Sequence, residues 1–236
     1  MSNLYIGLVS EGPTDTIIIQ SALQAILDHP FVLSPIQPES PPGQLGAGWS
    51  GVYRWCRQIA SPNYYSLLQH PSLMLFNIII IQVDADVAFS SYSSANICDN
   101  INNDLPCAED WPPITRSIEN LKLTISKWTH PTNHDKKTVL CIPSYCIETW
   151  LAVALFGKSD PILMSNIEQN TNIYNYIYAK SKTIRFIRFK DGKPKKIKSK
   201  YIEYKDRLTS EWNYITRHCT QAIDFQNHIL FAASQR

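Results

Sequence analysis

Five acidic side chains stand where apolar runs give way to breakers. Leu4–Ser10 leads into Glu11-Gly12-Pro13-Thr14-Asp15, and Leu75–Val83 leads into Asp84-Ala85-Asp86. Thr138–Ile142 leads into Pro143-Ser144-Tyr145-Cys146-Ile147-Glu148. Such runs read as buried strands, and the breaker segments after them as turns into helices. In a parallel α/β sheet the carboxyl ends of strands gather along one edge, where ligands bind. Carboxylates brought together there repel one another unless a cation intervenes. They are hard oxygen donors and suit Mg2+ or Mn2+. Glu11 and Asp15 are four apart and share a face if their helix starts early. Asp84 and Asp86 alternate on an extended strand end, with Ala85 pointing away. Glu148 falls in the first turn of a helix, where the dipole favours an anion. Gly12 lets the backbone turn tightly beside a ligand. Each feature alone also describes an ordinary cap or solvated turn; three at the ends of three strands point to a joint site.

The elements that must position these residues follow from pattern and breakers. After the first strand, Thr14 or Asp15 caps a helix that runs through Leu27 and ends at Asp28-His29-Pro30. Residues 34–50 are rich in Pro and Gly and read as an irregular loop. A helix from about Gly51 to Ala60 carries Arg54 and Arg57 on one side. Leu73–Val83 is the clearest strand, and the β-branched run Ile78–Ile81 predicts a central strand covered on both faces. Residues 87–114 read as a polar excursion, and Thr115–Trp128 as a helix. Ser144 caps a helix through Phe156 that Gly157 closes. The order implies an α/β fold with a mainly parallel sheet flanked by helices. We place a domain boundary at 157: residues 1–157 form the metal-binding unit, and 158–236 a basic, mostly helical C-terminal lobe. In that lobe Asp191-Gly192 signals a turn joining two short strands. Residues Tyr201–Phe231 read as helical, with a break near Cys219-Thr220.

Composition narrows the class. At 236 residues and 44% hydrophobic, the chain can bury a substantial core. It shows no secretory signal pattern and no apolar run long enough to span a membrane. Six scattered cysteines without a C-x-x-C suit reduced thiols in a cytoplasmic protein. The net charge of +2 hides an asymmetry. Residues 1–160 hold 8 Lys/Arg against 14 Asp/Glu, whereas 161–236 hold 14 against 6. The basic residues concentrate at Lys182, Arg185, Arg188, Lys190, Lys193, Lys195, Lys196, Lys198 and Lys200, with aromatics between them. Such a segment tracks a phosphate backbone, and its aromatics offer stacking surfaces to exposed bases. The bland alternative is a solvated lysine-rich loop. Cys98, Cys107, His130 and His134 are a weak zinc candidate, because the cysteine spacing is wide and Pro131 disturbs the histidine pair.

Val9-Ser10-Glu11-Gly12-Pro13-Thr14-Asp15, followed by Ile80-Ile81-Gln82-Val83-Asp84-Ala85-Asp86, resembles the TOPRIM fold of topoisomerases, primases and OLD-type nucleases. Ile147-Glu148-Thr149-Trp150 is similar to the Glu-x-Trp helix of small standalone TOPRIM-like proteins of bacterial defence loci, of the RloB type. The resemblance spans residues 4–157. It implies a divalent-metal-dependent nuclease acting on RNA or DNA, an antiviral defence role, and an ABC-type ATPase as a partner. On that resemblance Asp84 and Asp86 bind the metal. Glu11 completes the site or acts as general base, and Asp15 and Glu148 hold a second ion or orient water. The catalytic set is then Glu11, Asp84, Asp86 and Glu148. A lysine from the basic segment enters the site, with Lys198 and Lys200 as candidates. Two rivals use the same Asp-x-Asp. A haloacid-dehalogenase-type phosphatase needs a later acidic pair that is not found, and a nucleotide-sugar transferase leaves Glu11-Gly12 unexplained. The rival from another class is a non-catalytic module binding nucleic acid or a partner ATPase.

Overall fold

The computed structural model describes residues 3–39, 43–98, 103–109, 114–129 and 136–235. Four strands, β1 (Leu4–Val9), β2 (Phe31–Gln37), β3 (Ile78–Gln82) and β4 (Thr138–Cys141), form an all-parallel sheet in the order β2-β1-β3-β4. β3 pairs with β1 from Ile6 opposite Ile78 to Val9 opposite Ile81, and with β4 on its other side. Every residue of β3 is buried, as the β-branched run requires. Alternate side chains serve opposite faces. Leu4, Ile6, Leu8, Ile78 and Ile80 belong to one apolar cluster, and Val9, Ile79 and Ile81 to another. Residue 7 falls on the second face and is a glycine there, where a Cβ would sit 2.7 Å from the Ile36 methyl and 2.8 Å from that of Ile79.

Helices cover both faces. On the first lie α1 (Pro13–Ile26) and α4 (Glu148–Phe156); on the second lie α2 (Trp49–Ile59) and α3 (Thr115–Trp128). Chain order then gives α5 (Pro161–Ser165), α6 (Ile173–Ala179) and the antiparallel pair β5 (Ile187–Lys190) and β6 (Lys193–Lys196). The chain closes with α7 (Lys198–Ser210), α8 (Trp212–His218) and α9 (Thr220–Ser234). The helix expected over Thr115–Trp128, the turn at Asp191-Gly192 and the break at Cys219 all stand where the sequence places them.

Three expectations change. Residues 31–37 are a strand despite Pro35. β2 is an edge strand, where proline's missing N–H leaves no ladder gap, and the register shifts at Leu8/Val9 beside it. Ser144 does not cap α4; its hydroxyl donates to Glu168 Oε1 at 2.9 Å, and the helix starts at Glu148 after Ile147. The boundary at 157 does not separate two cores. Phe186, Tyr201, Trp212, Phe225 and Ile229 share one apolar cluster with Ile18, Ile80 and Trp150. Among the described residues no helix is long and apolar enough to cross a membrane. All six cysteines are unpaired. His130 and His134 lie outside the described residues.

Candidate active site

In the order β2-β1-β3-β4 the chain leaves β1 toward one edge and returns to β3 on the other side. The crevice above the carboxyl ends of β1 and β3 is therefore the sheet's switch point, the usual ligand position in such folds. Glu11 follows β1, and Asp84 and Asp86 follow β3. A cleft of about 410 Å3 opens there, lined by Glu11, Asp15, Asp84, Asp86, Tyr174 and Lys196 among others.

A closed ring of hydrogen bonds fixes the floor. The Glu11 backbone N–H donates to Gln82 Oε1 at 3.1 Å, and Gln82 Nε2 donates to Asp84 Oδ1 at 2.8 Å. The Asp84 N–H returns to Glu11 Oε1 at 2.7 Å. Asp84 Oδ1 also accepts from the Ile147 N–H at 3.1 Å. The loop before α4 clamps the β3 end further: the Ala85 N–H donates to Pro143 O and the Asp86 N–H to Tyr145 O. Tyr145 holds φ 61, a left-handed conformation that costs a tyrosine of order 1–3 kcal/mol, and its carbonyl meets Asp86. Asp84 and Asp86 do not alternate along a strand as expected. β3 stops at Gln82, and Ala85–Phe89 coil into a 3-10 turn.

Pro13 occupies the first position of α1, and Asp15 lies in its first turn, fully buried. Gly12 has φ −160, an extended conformation open to any residue, so it is not needed for a tight turn. The glycine that is needed is Gly48, at φ 74, which starts α2 and donates its N–H to Glu11 O at 2.7 Å.

Lys196 enters from β6. Its ammonium lies 2.8 Å from Asp15 Oδ1 and 2.8 Å from Glu148 Oε1. Glu148 is fully buried and does not line the cleft. Its oxygens accept from Tyr201 (3.0 Å) and Tyr174 (3.2 Å) as well as from Lys196. Glu148, expected as a catalytic or metal residue, anchors Lys196. Of the two lysines expected to enter, Lys198 lines the cleft, and Lys200 turns to Glu203 at 2.7 Å.

Lys196 thus divides the acids. Asp15 and Glu148 have a counter-cation; Glu11, Asp84 and Asp86 form no ion pair among the described residues. Burial, then the nearby Asp86, pushes the Glu11 carboxyl up to about 8. Burial and Glu148 push Asp86 up to about 6. Asp84 rises well above the carboxylate range through burial and Glu11, and Asp15 is raised mainly by burial. Burial works against the Lys196 charge, but Glu148, Asp15 and Asp84 together outweigh it and hold the proton firmly.

The donor chemistry suits a divalent cation. Among the described residues three hard carboxylates lack a counter-charge, and Asp15 Oδ2 is buried without a hydrogen-bond partner. The oxygens are not already gathered around a point: among the described residues no three His, Cys, Asp or Glu side chains stand in metal-holding geometry.

Sequence reasoning missed Gln82, Tyr174 and Tyr201. Gln82 carried a signal, as a polar residue inside the apolar run Ile78–Val83. No family model matches the chain, and neither curated proteins nor solved structures include a significant match.

Proposed function

We propose that the chain is a divalent-metal-dependent nuclease of TOPRIM-like architecture. The observation that carries this reading is the trio Glu11, Asp84 and Asp86, without an ion pair among the described residues, at the sheet's switch point and bordered by Lys196 and Lys198. Asp84 and Asp86 would hold Mg2+ or Mn2+. When bound, the ion supplies positive charge to the oxygens of an in-line phosphodiester displacement. Glu11, its carboxyl pushed up to about 8, would take the proton of the attacking water or hydroxyl in its ionised form, so cleavage should rise toward pH 8. Lys196 offers a fixed positive charge to the scissile phosphate, preorganised by Asp15 and Glu148. Lys198, exposed at the mouth, draws the backbone in.

The test is cleavage of end-labelled RNA and DNA with Mg2+ or Mn2+. Asp84→Asn combined with Asp86→Asn keeps the shape of the site and should lower the rate by at least about 100-fold. Equal cleavage by a variant that unfolds as cooperatively as the unmodified protein would refute the assignment.

A second reading has an observation of its own. Among the described residues the carboxylates are not converged, and Lys196 already pairs with two of them, as in a module that binds nucleic acid without cutting it. Such a module would bind equally well with and without divalent ions and would cut nothing.

A further inference from the structure

The β5–β6 hairpin has two unlike faces. Its register sets Ile187 opposite Lys196, Arg188 opposite Lys195, Phe189 opposite Pro194, and Lys190 opposite Lys193. Alternation then gathers Ile187, Phe189, Pro194 and Lys196 on the inner face and Arg188, Lys190, Lys193 and Lys195 on the outer one. The four outer cations are exposed, and none forms an ion pair among the described residues. Like charges directly opposite each other across a ladder are destabilising, yet this ribbon stacks two such pairs, with Asp191 at the turn as its one acid. A ligand carrying regularly spaced negative charge would relieve that repulsion.

We infer that the outer face of this hairpin docks onto the phosphate backbone of double-stranded DNA, the ribbon lying in the major groove beside the cleft. The inference deepens the nuclease reading and rests on it for the chemistry, though not for the binding. A two-stranded ribbon fits the major groove of B-form DNA, about 12 Å wide, while the A-form major groove of RNA is too narrow to admit it. Single strands are bound chiefly by stacking on aromatic platforms. The aromatics of this segment are largely taken up by the protein: Phe186 and Tyr201 are buried, and Phe189 packs on the partly exposed Tyr178 at 5.1 Å. Arg185 is spent on the Tyr178 ring at 4.6 Å and Lys200 on Glu203.

Fluorescence anisotropy in EDTA with a short DNA duplex, its single strand, and the RNA duplex of the same sequence tests this. The unmodified protein should prefer the DNA duplex, and log K should fall with log salt at a slope steeper than about −3. Replacing Arg188, Lys190, Lys193 and Lys195 together by Ser should cost at least tenfold in duplex affinity and flatten the slope. Equal affinity for single strand or RNA duplex in the unmodified protein, or unaltered duplex affinity in the variant, would overturn the assignment. Because EDTA removes divalent ions, duplex binding with no cleavage on their return would sink the nuclease reading alone. Cleavage with unaltered duplex affinity in the variant would remove the docking surface alone.

Discussion

At neutral pH the folded chain keeps a proton on Glu11, whose carboxyl burial and the neighbouring Asp86 push up to about 8. The unfolded chain releases that proton near the ordinary glutamate value of 4.5. Between these limits the folded state binds more protons than the unfolded one, so stability falls as pH rises and levels off above 8. Asp86 adds a contribution of the same sign between 3.8 and about 6. The cation-free protein should therefore show a thermal midpoint that drops steadily from pH 5 to pH 8, and Glu11→Gln should flatten the slope most between pH 6 and 8. Differential scanning calorimetry across that range decides it; a midpoint rising toward pH 8 would mean Glu11 is ionised in the native state. The identities of these acids were legible as a set, because each follows an apolar run. Their division was not. Which carboxylate meets a lysine 181 residues distant, as Asp15 meets Lys196, is fixed by tertiary packing and leaves no trace in local spacing.

A single element makes that division, the hairpin ending at Lys196. Counting back from the Asp191-Gly192 turn, whose residues hold φ 52 and φ 72, sets Lys196 opposite Ile187, on the face of Phe189. The face of Lys196 was thus readable once the turn was known; that the face meets Asp15 and Glu148 was not. β2 escaped notice for a different reason. Pro35 argues against a central strand, but an edge position removes the objection. Lys196→Met should leave two buried carboxylates without their cation and cost about 3–5 kcal/mol near neutral pH. Adding Glu148→Gln should recover part of that loss, since Tyr201 and Tyr174 can still bond a neutral amide. Urea titrations of the single and double variants measure both. A Lys196→Met protein as stable as the unmodified chain would show that the ammonium does not offset the buried charge.

At the scale of the molecule, the site exists because late chain covers early chain. Trp150 of α4 lies edge-on to Trp212 of α8, with ring centroids 5.4 Å apart, and 5.9 Å from Phe225 of α9. Thr209 of α7 donates to Ser21 O on α1 at 2.9 Å, and Arg207 Nε to Ala154 O on α4 at 3.4 Å. These contacts close the face of the sheet that carries Ile6, Leu8, Ile78 and Ile80. The change from acidic to basic composition near residue 160 suggested two units, but charge reports on the surface, and it is burial that defines a folding unit. A fragment of residues 1–157 would expose Ile18, Ile19, Trp150 and Val153 to water. Each large apolar side chain so uncovered loses about 1.5–3 kcal/mol, and a handful of them is comparable with the roughly 5–15 kcal/mol of a whole domain. That fragment should therefore aggregate or unfold without a cooperative transition, and co-expression with residues 158–236 should rescue a soluble complex. Near-UV circular dichroism of the tryptophans, with a thermal melt, distinguishes the outcomes. A fragment that melts sharply on its own would mean that the sheet closes without its C-terminal cover, and that Lys196 docks on a preformed site.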